Sequence, residues 1–553
     1  MRIADTGDLW WRNAVIYCLD VETYRDGNGD GIGDFSGLTE SIPYLEQLGV
    51  TCIWLMPFYP TPDRDDGYDI SDFYGVDPRL GSLGDAVEFI RTARSRGIRV
   101  IIDLVVNHTS DKHPWFVQAK RSRNSQFRDY YVWRDTPTRN SKNTVFPGEE
   151  DSIWEWEPKT EQYYLHSFYR HQPDLNLTHR PVRDEIAKIV AFWLTLGIAG
   201  FRIDAVPFLL ASPGSPDVAD PHEFIRDLKR FIRRRSSEAM LLGEVGLPHA
   251  DQLAYFGGQD GGELDAQFDF TLMDAVYLAF VRHDAVPIVQ ALRSRPATSE
   301  PVAWGNFLRN HDELTLQLLS EDEQKDVFDA FAPDPAQRVY GRGIVRRLAP
   351  MLQGDPRRLR LAYSLLFSLP GMPVLYYGEE IGMGENPELP GRSAVRSPMQ
   401  WSPGRNGGFS SAKPSQLPGA LTTGGYGPEH VNVRAQQMDE GSLFHFIRSL
   451  IARYRTTPEI GWGDVEVVEH ETPGVLAHIL RTDHEGGMLA LHNLTAEPVT
   501  VALPSSKVLG GEALTDLLHP REIPVHPYRT TDAELDPYGF LWLQITPPGG
   551  AIV

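Results

Sequence analysis

Several short apolar runs of this sequence end on residues able to do chemistry. "FRID" closes on Arg202 and Asp204, "LLGE" on Glu244, "FLRNHD" on His311 and Asp312, and "DLVVNH" on Asp103, Asn107 and His108. Taken singly, each has a bland reading as an ion pair or a helix N-cap. Together, three carboxylates (Asp204, Glu244, Asp312) with Arg202, His108 and His311 suit cleavage of a glycosidic bond. One ionised carboxylate attacks the anomeric carbon. A second, kept protonated, gives its proton to the leaving oxygen and later takes one back. The retaining form of this chemistry needs the two about 5–5.5 Å apart. Arg202 and Asp204 are i, i+2 on a strand and share a face, so the guanidinium can hold Asp204 ionised. Asp312 and the histidines would bond sugar hydroxyls more strongly as an oxocarbenium ion develops.

Such a cluster needs elements that bring distant residues to one rim. Eight strand-like runs alternate with helical patterns between residues 14 and 382, from "AVIYCLDVE" through "CIWLMPF", "RVIIDLVVN", "GFRIDAV", "MLLGEV", "LDAQFDF" and "VAWGNFLRN" to "MPVLYYGEE". In "VRDEIAKIVAFWLTLGI", Val182, Ile186, Ile189 and Trp193 fall at helical spacing. This alternation predicts an α/β fold, a (β/α)₈ TIM barrel, whose chemistry sits at the C-terminal ends of the strands. A doubly wound open sheet is the alternative, but no glycine-rich dinucleotide fingerprint follows the first strand. Residues 109–171 form too long a connection for a plain loop and are expected to be an inserted subdomain after strand three. The barrel is then 1–108 and 172–462, with excursions near 313–353 and 386–430. From 463 to 553, short runs such as "VLAHILRT" and "MLALHNL" predict a C-terminal all-β sandwich domain.

On these motifs the chain resembles the α-amylase family. "DLVVNH", "GFRIDAV", "LLGEV" and "FLRNHDE" look like its four signature regions, in order, and "QPDLN" like a fifth. The resemblance implies a barrel, an inserted domain and a β-sandwich, and a retaining α-glucoside enzyme with no organic cofactor. It makes Asp204 the nucleophile, Glu244 the general acid/base and Asp312 the transition-state stabiliser. Arg202, His108, His311 and Gln172 become supporting groups around the attacked glucose. In "RDDGYDIS", Tyr68 resembles a stacking platform and Asp65 the group holding a terminal 4-hydroxyl, with Asp66 as the alternative. Arg396 in "VRSPMQW" resembles the matching arginine clamp of the branch acting on short substrates. Long stretches such as "PFYPTPDRDDGYDISDFYGVDPRLGSLGD" and "FLRNHDELTL" resemble members that interconvert maltose and trehalose by intramolecular transglucosylation. An α-glucosidase or transglucosylase acting on short α-linked disaccharides or oligosaccharides is the second reading, and a noncatalytic amylase-like binding protein a third. Two departures, "GEVGLPHADQ" where "AEAN" is expected and "PELPGRSAVRSPMQW" where "GDRNGVR" is, border the acceptor and leave its identity open.

"DGNGDGIGDF" raises a metal question. An EF-hand loop from Asp26 would need a bidentate Glu at its twelfth position, which is Gly37. The alternate oxygens of Asp26, Asn28, Asp30, the Ile32 carbonyl and Asp34 still suit Ca²⁺, with Mg²⁺ as the alternative where waters fill the shell; a plain polar turn is the other reading. The family resemblance includes a structural calcium loop here, and it puts Asn107 and Asp174 where a second ion or a hydrogen-bonded domain junction would lie.

Net charge is −22. Nucleic acid and anionic membranes are therefore not expected as partners, whereas a neutral sugar is tolerated; homo-oligomerisation is left open. The two cysteines, Cys18 and Cys52, lie in apolar runs and read as buried thiols. The opening "MRIADTGDLWW" has no apolar leader core, and no run approaches a membrane span, so a cytoplasmic location is expected. Twelve tryptophans suit sugar stacking as well as an ordinary core.

Overall fold

The computed structural model describes residues 7–139, 142, 144–211, 220–258, 261–298, 302–482, 486–505, 509–511, 513–519, 521–526 and 528–546. The extreme ends of the segments expected as 1–108 and 463–553 lie outside them.

Eight parallel strands close a barrel: β1 (Ile16–Leu19), β2 (Cys52–Leu55), β3 (Arg99–Leu104), β4 (Gly200–Ile203), β5 (Met240–Gly243), β6 (Ala266–Phe268), β7 (Ala303–Phe307) and β8 (Met372–Tyr376). Each expected apolar run supplies one of them. The runs read as continuous rather than alternating because both faces are covered, the interior by layered side chains and the exterior by helices. β1 closes on β8 with Ile16 opposite Val374. Cys18 and Cys52 are buried and unpaired. Helix Arg180–Leu196 turns Val182, Ile186, Ile189 and Trp193 inward and stops at Gly197, whose φ of 103° lets it cap the helix.

Gly200 is required by packing. A Cβ there would stand 2.3 Å from the Met240 carbonyl oxygen, so only glycine lets β4 and β5 lie at this spacing. Those two strands carry Asp204 and Glu244 at their ends.

Three further units accompany the barrel. Between β3 and β4, strands Trp133–Arg134, Trp154–Glu157 and Gln162–Leu165 form a small antiparallel sheet. The excursion after β7 contains helix Glu321–Phe331 and a three-stranded sheet from Leu314–Thr315, Arg338–Val339 and Gly343–Ile344, the latter not foreseen in sequence. After Asp464, a six-stranded and a two-stranded antiparallel sheet enclose their own apolar core. This C-terminal unit docks on helix Pro356–Ser368, where Trp542 Nε1 donates to Ser364 Oγ at 2.9 Å and His492 Nε2 meets the same oxygen at 2.9 Å. Among the described residues, no helix is long and apolar enough to cross a membrane.

Candidate active site

One cavity of about 550 Å³ opens at the C-terminal ends of the barrel strands, within the range of roughly 300–1,000 Å³ usual for small-ligand sites. Asp65, Tyr68, His108, Asp204, Glu244 and Asp312 line it. Arg202, Gln172, His311 and Arg396 stand behind this lining and hold it in place.

Arg202 is the hub. Its side chain is 1% exposed. Nη1 donates to Asp103 and Asp204, both at 2.6 Å, and Nη2 donates to Glu244 at 2.7 Å. Asp103, wholly buried, also accepts from Trp54 Nε1 at 2.7 Å. One cation therefore serves three carboxylates. Burial raises the Asp204 carboxyl to about 6 against the opposing pull of Arg202, and Asp103 likewise to about 6. Burial also raises Glu244, with Arg202 opposing and the neighbouring Asp204 and Asp312 adding to the rise. At neutral pH the arrangement leaves Asp204 ionised, while the carboxylates around Glu244 make its proton harder to lose than that of a free carboxyl.

The turn after β4 is strained. Ala205 has φ of 46°, a left-handed conformation that costs a non-glycine residue about 1–3 kcal/mol. That turn points the Ala205 N–H at Glu244 Oε2, 3.0 Å away. The backbone beside one carboxylate thereby orients the other.

Asp312 is held differently. Burial alone would raise it, but His311, Arg392 and Arg396 hold it well below the usual carboxylate range. Arg392 Nη1 and Arg396 Nη2 donate to its Oδ1 at 2.7 and 2.9 Å, and His311 Nε2 lies 3.0 Å from Oδ2. His311 is lowered by burial and stacks on Tyr68 with ring centroids 5.6 Å apart; Tyr68 Oη meets its Nε2 at 2.8 Å. His108, lowered to about 4 by burial, turns Nε2 to the Tyr68 carbonyl at 3.2 Å. The His108 imidazole is therefore neutral at physiological pH.

Of the two aspartates expected opposite Arg396, the geometry selects the alternative. Arg396 reaches Asp66, at 2.9 Å, rather than Asp65. Asp65 is instead held by Arg392 at 2.6 Å and accepts from Gln172 Nε2 at 2.8 Å. The short 3₁₀ turn Gly391–Val395 brings both arginines of "GRSAVR" to one side of the pocket, so each takes one of the adjacent aspartates. Nothing local in the sequence distinguishes Arg392 from Arg396.

The aromatic roof was also missed in sequence. Phe146 and Tyr169, from the inserted unit, meet Tyr340, from the excursion after β7. Phe146 stacks on Tyr169 with centroids 4.7 Å apart and packs against Tyr340 at 4.9 Å. Arg392 lies over Phe146 at 5.0 Å, and Arg342 Nη2 donates to the Val145 carbonyl at 2.8 Å. These residues come from separate loops with no shared periodicity.

The possible ion positions divide. Asn107 Nδ2 donates to Asp174 Oδ1 at 3.2 Å, and Ser167 donates to Asp174 through N–H and hydroxyl, so these side chains are hydrogen-bonded to one another. In the 26–34 loop, Asp26 accepts from the amides of Asn28, Gly29 and Gly31, Asn28 from Asp30, and Asp30 from Ile32. Asp34 caps helix Phe35–Glu40 through the Gly37 N–H at 2.7 Å. The oxygen-only donor set fits a hard cation. Among the described residues, however, no three His, Cys, Asp or Glu side chains are already gathered as a metal-ligand group.

The family description "Alpha amylase, catalytic domain" matches residues 19–329 and 345–463. The chain belongs to the α-amylase family. It is 39% identical to a trehalose synthase of Pimelobacter sp. over 98% of this chain and 96% of that protein. It is 30% identical to an oligo-1,6-glucosidase of Parageobacillus thermoglucosidasius over 90% of this chain and 92% of that one. Among solved structures, the trehalulose synthase MutB from Pseudomonas mesoacidophila superposes with a TM-score of 0.77 at 26% identity, covering 97% of this chain and 99% of that one. MutB mutants have been solved with glucose and with sucrose. In this α-amylase-family chain, the strand-end motifs and the geometry of the cavity coincide.

Proposed function

We propose that this protein is a retaining α-glucoside enzyme that interconverts maltose and trehalose by intramolecular transglucosylation. The carrying observation is the single guanidinium of Arg202 bonded to both Asp204 and Glu244 in one small cavity, with Asp312 opposite under separate cationic control.

Asp204 attacks the anomeric carbon of the non-reducing glucose while Glu244 protonates the leaving oxygen, so the C–O bond to the second glucose breaks as the bond to Asp204 forms. The released glucose turns within the pocket. Glu244 then removes the proton of its 1-hydroxyl, which attacks the glucosyl-enzyme and frees Asp204. Asp65 and Arg392 hold the far end of the first glucose, and Tyr68 faces its ring. Asp312 bonds hydroxyls whose acidity grows with the oxocarbenium ion.

Isomerisation rather than hydrolysis requires that glucose stay and water stay out. The Phe146–Tyr169–Tyr340 roof and the Arg342 bond to Val145 join the two units on either side of the mouth and support this reading. Likeness to trehalose synthases over nearly the full chain supports it as well. The second reading, an α-glucosidase, is favoured by Gly246, which lines the cavity two residues past Glu244 with no side chain of its own and accepts from Gln317 through its carbonyl at 2.9 Å. Purified protein given maltose should yield trehalose with a minor share of glucose; glucose alone would reject the isomerase.

For the 26–34 loop we propose a structural Ca²⁺, or Mg²⁺, held by Asp26, Asn28, Asp30, the Ile32 carbonyl and Asp34, away from the bond being broken. A cytoplasmic location is proposed on the unpaired buried cysteines, which suit a reducing compartment.

A further inference from the structure

Arg309 is buried to 1% exposure, two residues past the end of β7 and three before Asp312. Its Nη2 donates to the backbone carbonyl of Asp312 at 2.7 Å. Its Nε and Nη1 are buried without a hydrogen-bond partner. The surroundings do little to compensate the charge. Arg347, a like charge, spends its donors on the carbonyls of Tyr377 and Val395. Burial pushes Glu379 up to about 8, so at neutral pH it is mostly protonated. A buried cation with two idle donors costs free energy, and apolar replacements at such positions are often neutral or stabilising.

What the residue gives in return is geometric. The Asp312 side chain is fixed by Arg392 and Arg396, which reach it from the loop after β8, and by its chain neighbour His311. The Asp312 main chain is fixed by Arg309 from beneath. We infer that Arg309 is a positioning residue for the reaction: it locks the Asp312 peptide so that the carboxylate meets the developing positive charge, at the expense of fold stability. This rests on the glycosidic reading of the site, and it assigns Arg309 no contact with substrate.

The test uses the full chain and 4-nitrophenyl α-D-glucoside, whose cleavage reports glucosyl transfer to Asp204 whichever acceptor follows. Misplacing a reacting group by about 1 Å can cost around 100-fold. Arg309→Met should therefore lower kcat at least about tenfold with KM within about twofold, while Tm stays level or rises. Arg309→Lys should restore part of kcat. A core residue with a purely structural role would give the reverse, a lower Tm with kcat per folded molecule retained, and that result overturns the inference. Should Arg309→Met fail to fold, Arg309→Lys decides: a kcat reduced more than about threefold at unchanged Tm supports positioning, and a parental kcat rejects it. A parent protein silent on this substrate overturns the glucosidic reading and this inference with it; an active parent with an indifferent variant overturns the inference alone.

Discussion

Arg392 and Asp65 meet at 2.6 Å across 327 residues of chain. The same guanidinium reaches Asp312 at 2.7 Å, so one side chain ties the grip on the far end of the sugar to the stabiliser of the transition state. Two carboxylates this close need a bridging cation. Arg392→Ala should lower kcat/KM on maltose by about 100-fold or more, with kcat lowered and KM raised. Arg392→Lys should recover only part, because a point charge lacks the fork that spans two carboxylates. Steady-state kinetics of the two variants check this.

Asp204→Asn should abolish turnover, by at least about a thousandfold, while leaving the fold intact. It should also stabilise the protein at neutral pH. The Asp204 carboxyl is raised to about 6, above its unfolded value, so the folded state binds more protons between pH about 4 and 6. Stability from this group therefore falls as pH rises through that window, and a neutral amide escapes the loss. A lower Tm for the variant at pH 7 would contradict this.

The same shift fixes the acid side of the activity profile. Below pH about 6, Asp204 takes up a proton and ceases to be a nucleophile, so kcat/KM should fall roughly tenfold per pH unit. Activity and stability thus move in opposite directions as pH falls toward 5, which paired rate and melting measurements would show.

Loosening the roof should change what attacks the glucosyl-enzyme more than how fast it forms. Tyr340→Ala and Arg342→Ala remove contacts between the inserted unit and the excursion after β7. The share of maltose ending as free glucose should rise several-fold relative to trehalose, with cleavage of an aryl glucoside little altered. Unchanged product ratios in both variants would separate the roof from water exclusion.

Chelator treatment should lower Tm by several degrees and release one Ca²⁺ or Mg²⁺ per chain, with Asp30→Ala giving a similar loss that added metal does not restore. No metal by elemental analysis and an unmoved Tm would identify the 26–34 loop as a polar turn.

Legibility in sequence followed locality. Every barrel strand could be read because each is a continuous apolar run buried on both faces, and the residues at its end inherit their position from the strand. Asp204, Glu244, Asp312 and His108 are of this kind. Arg392 was not legible, because its partner is chosen by how a loop folds over the mouth, and Arg396 four residues on was chemically equivalent in the string. Phe146, Tyr169 and Tyr340 have no common period, so their stacking exists only in three dimensions. The small sheet after β7 was obscured by strands of two residues, too short to show alternation.

The pairing of Ile16 with Val374 carries a consequence for how the protein is made. A ribosome adding about 5–20 residues per second exposes β1 on the order of tens of seconds before β8 exists to cover its free edge. For that interval the nascent barrel is an open sheet with a sticky margin, and two large loop units are synthesised before it can shut. Yield in a cell would then be governed by elongation speed and chaperone supply as much as by the stability of the finished enzyme, and a circularly permuted chain beginning between β7 and β8 would make the closing strand first.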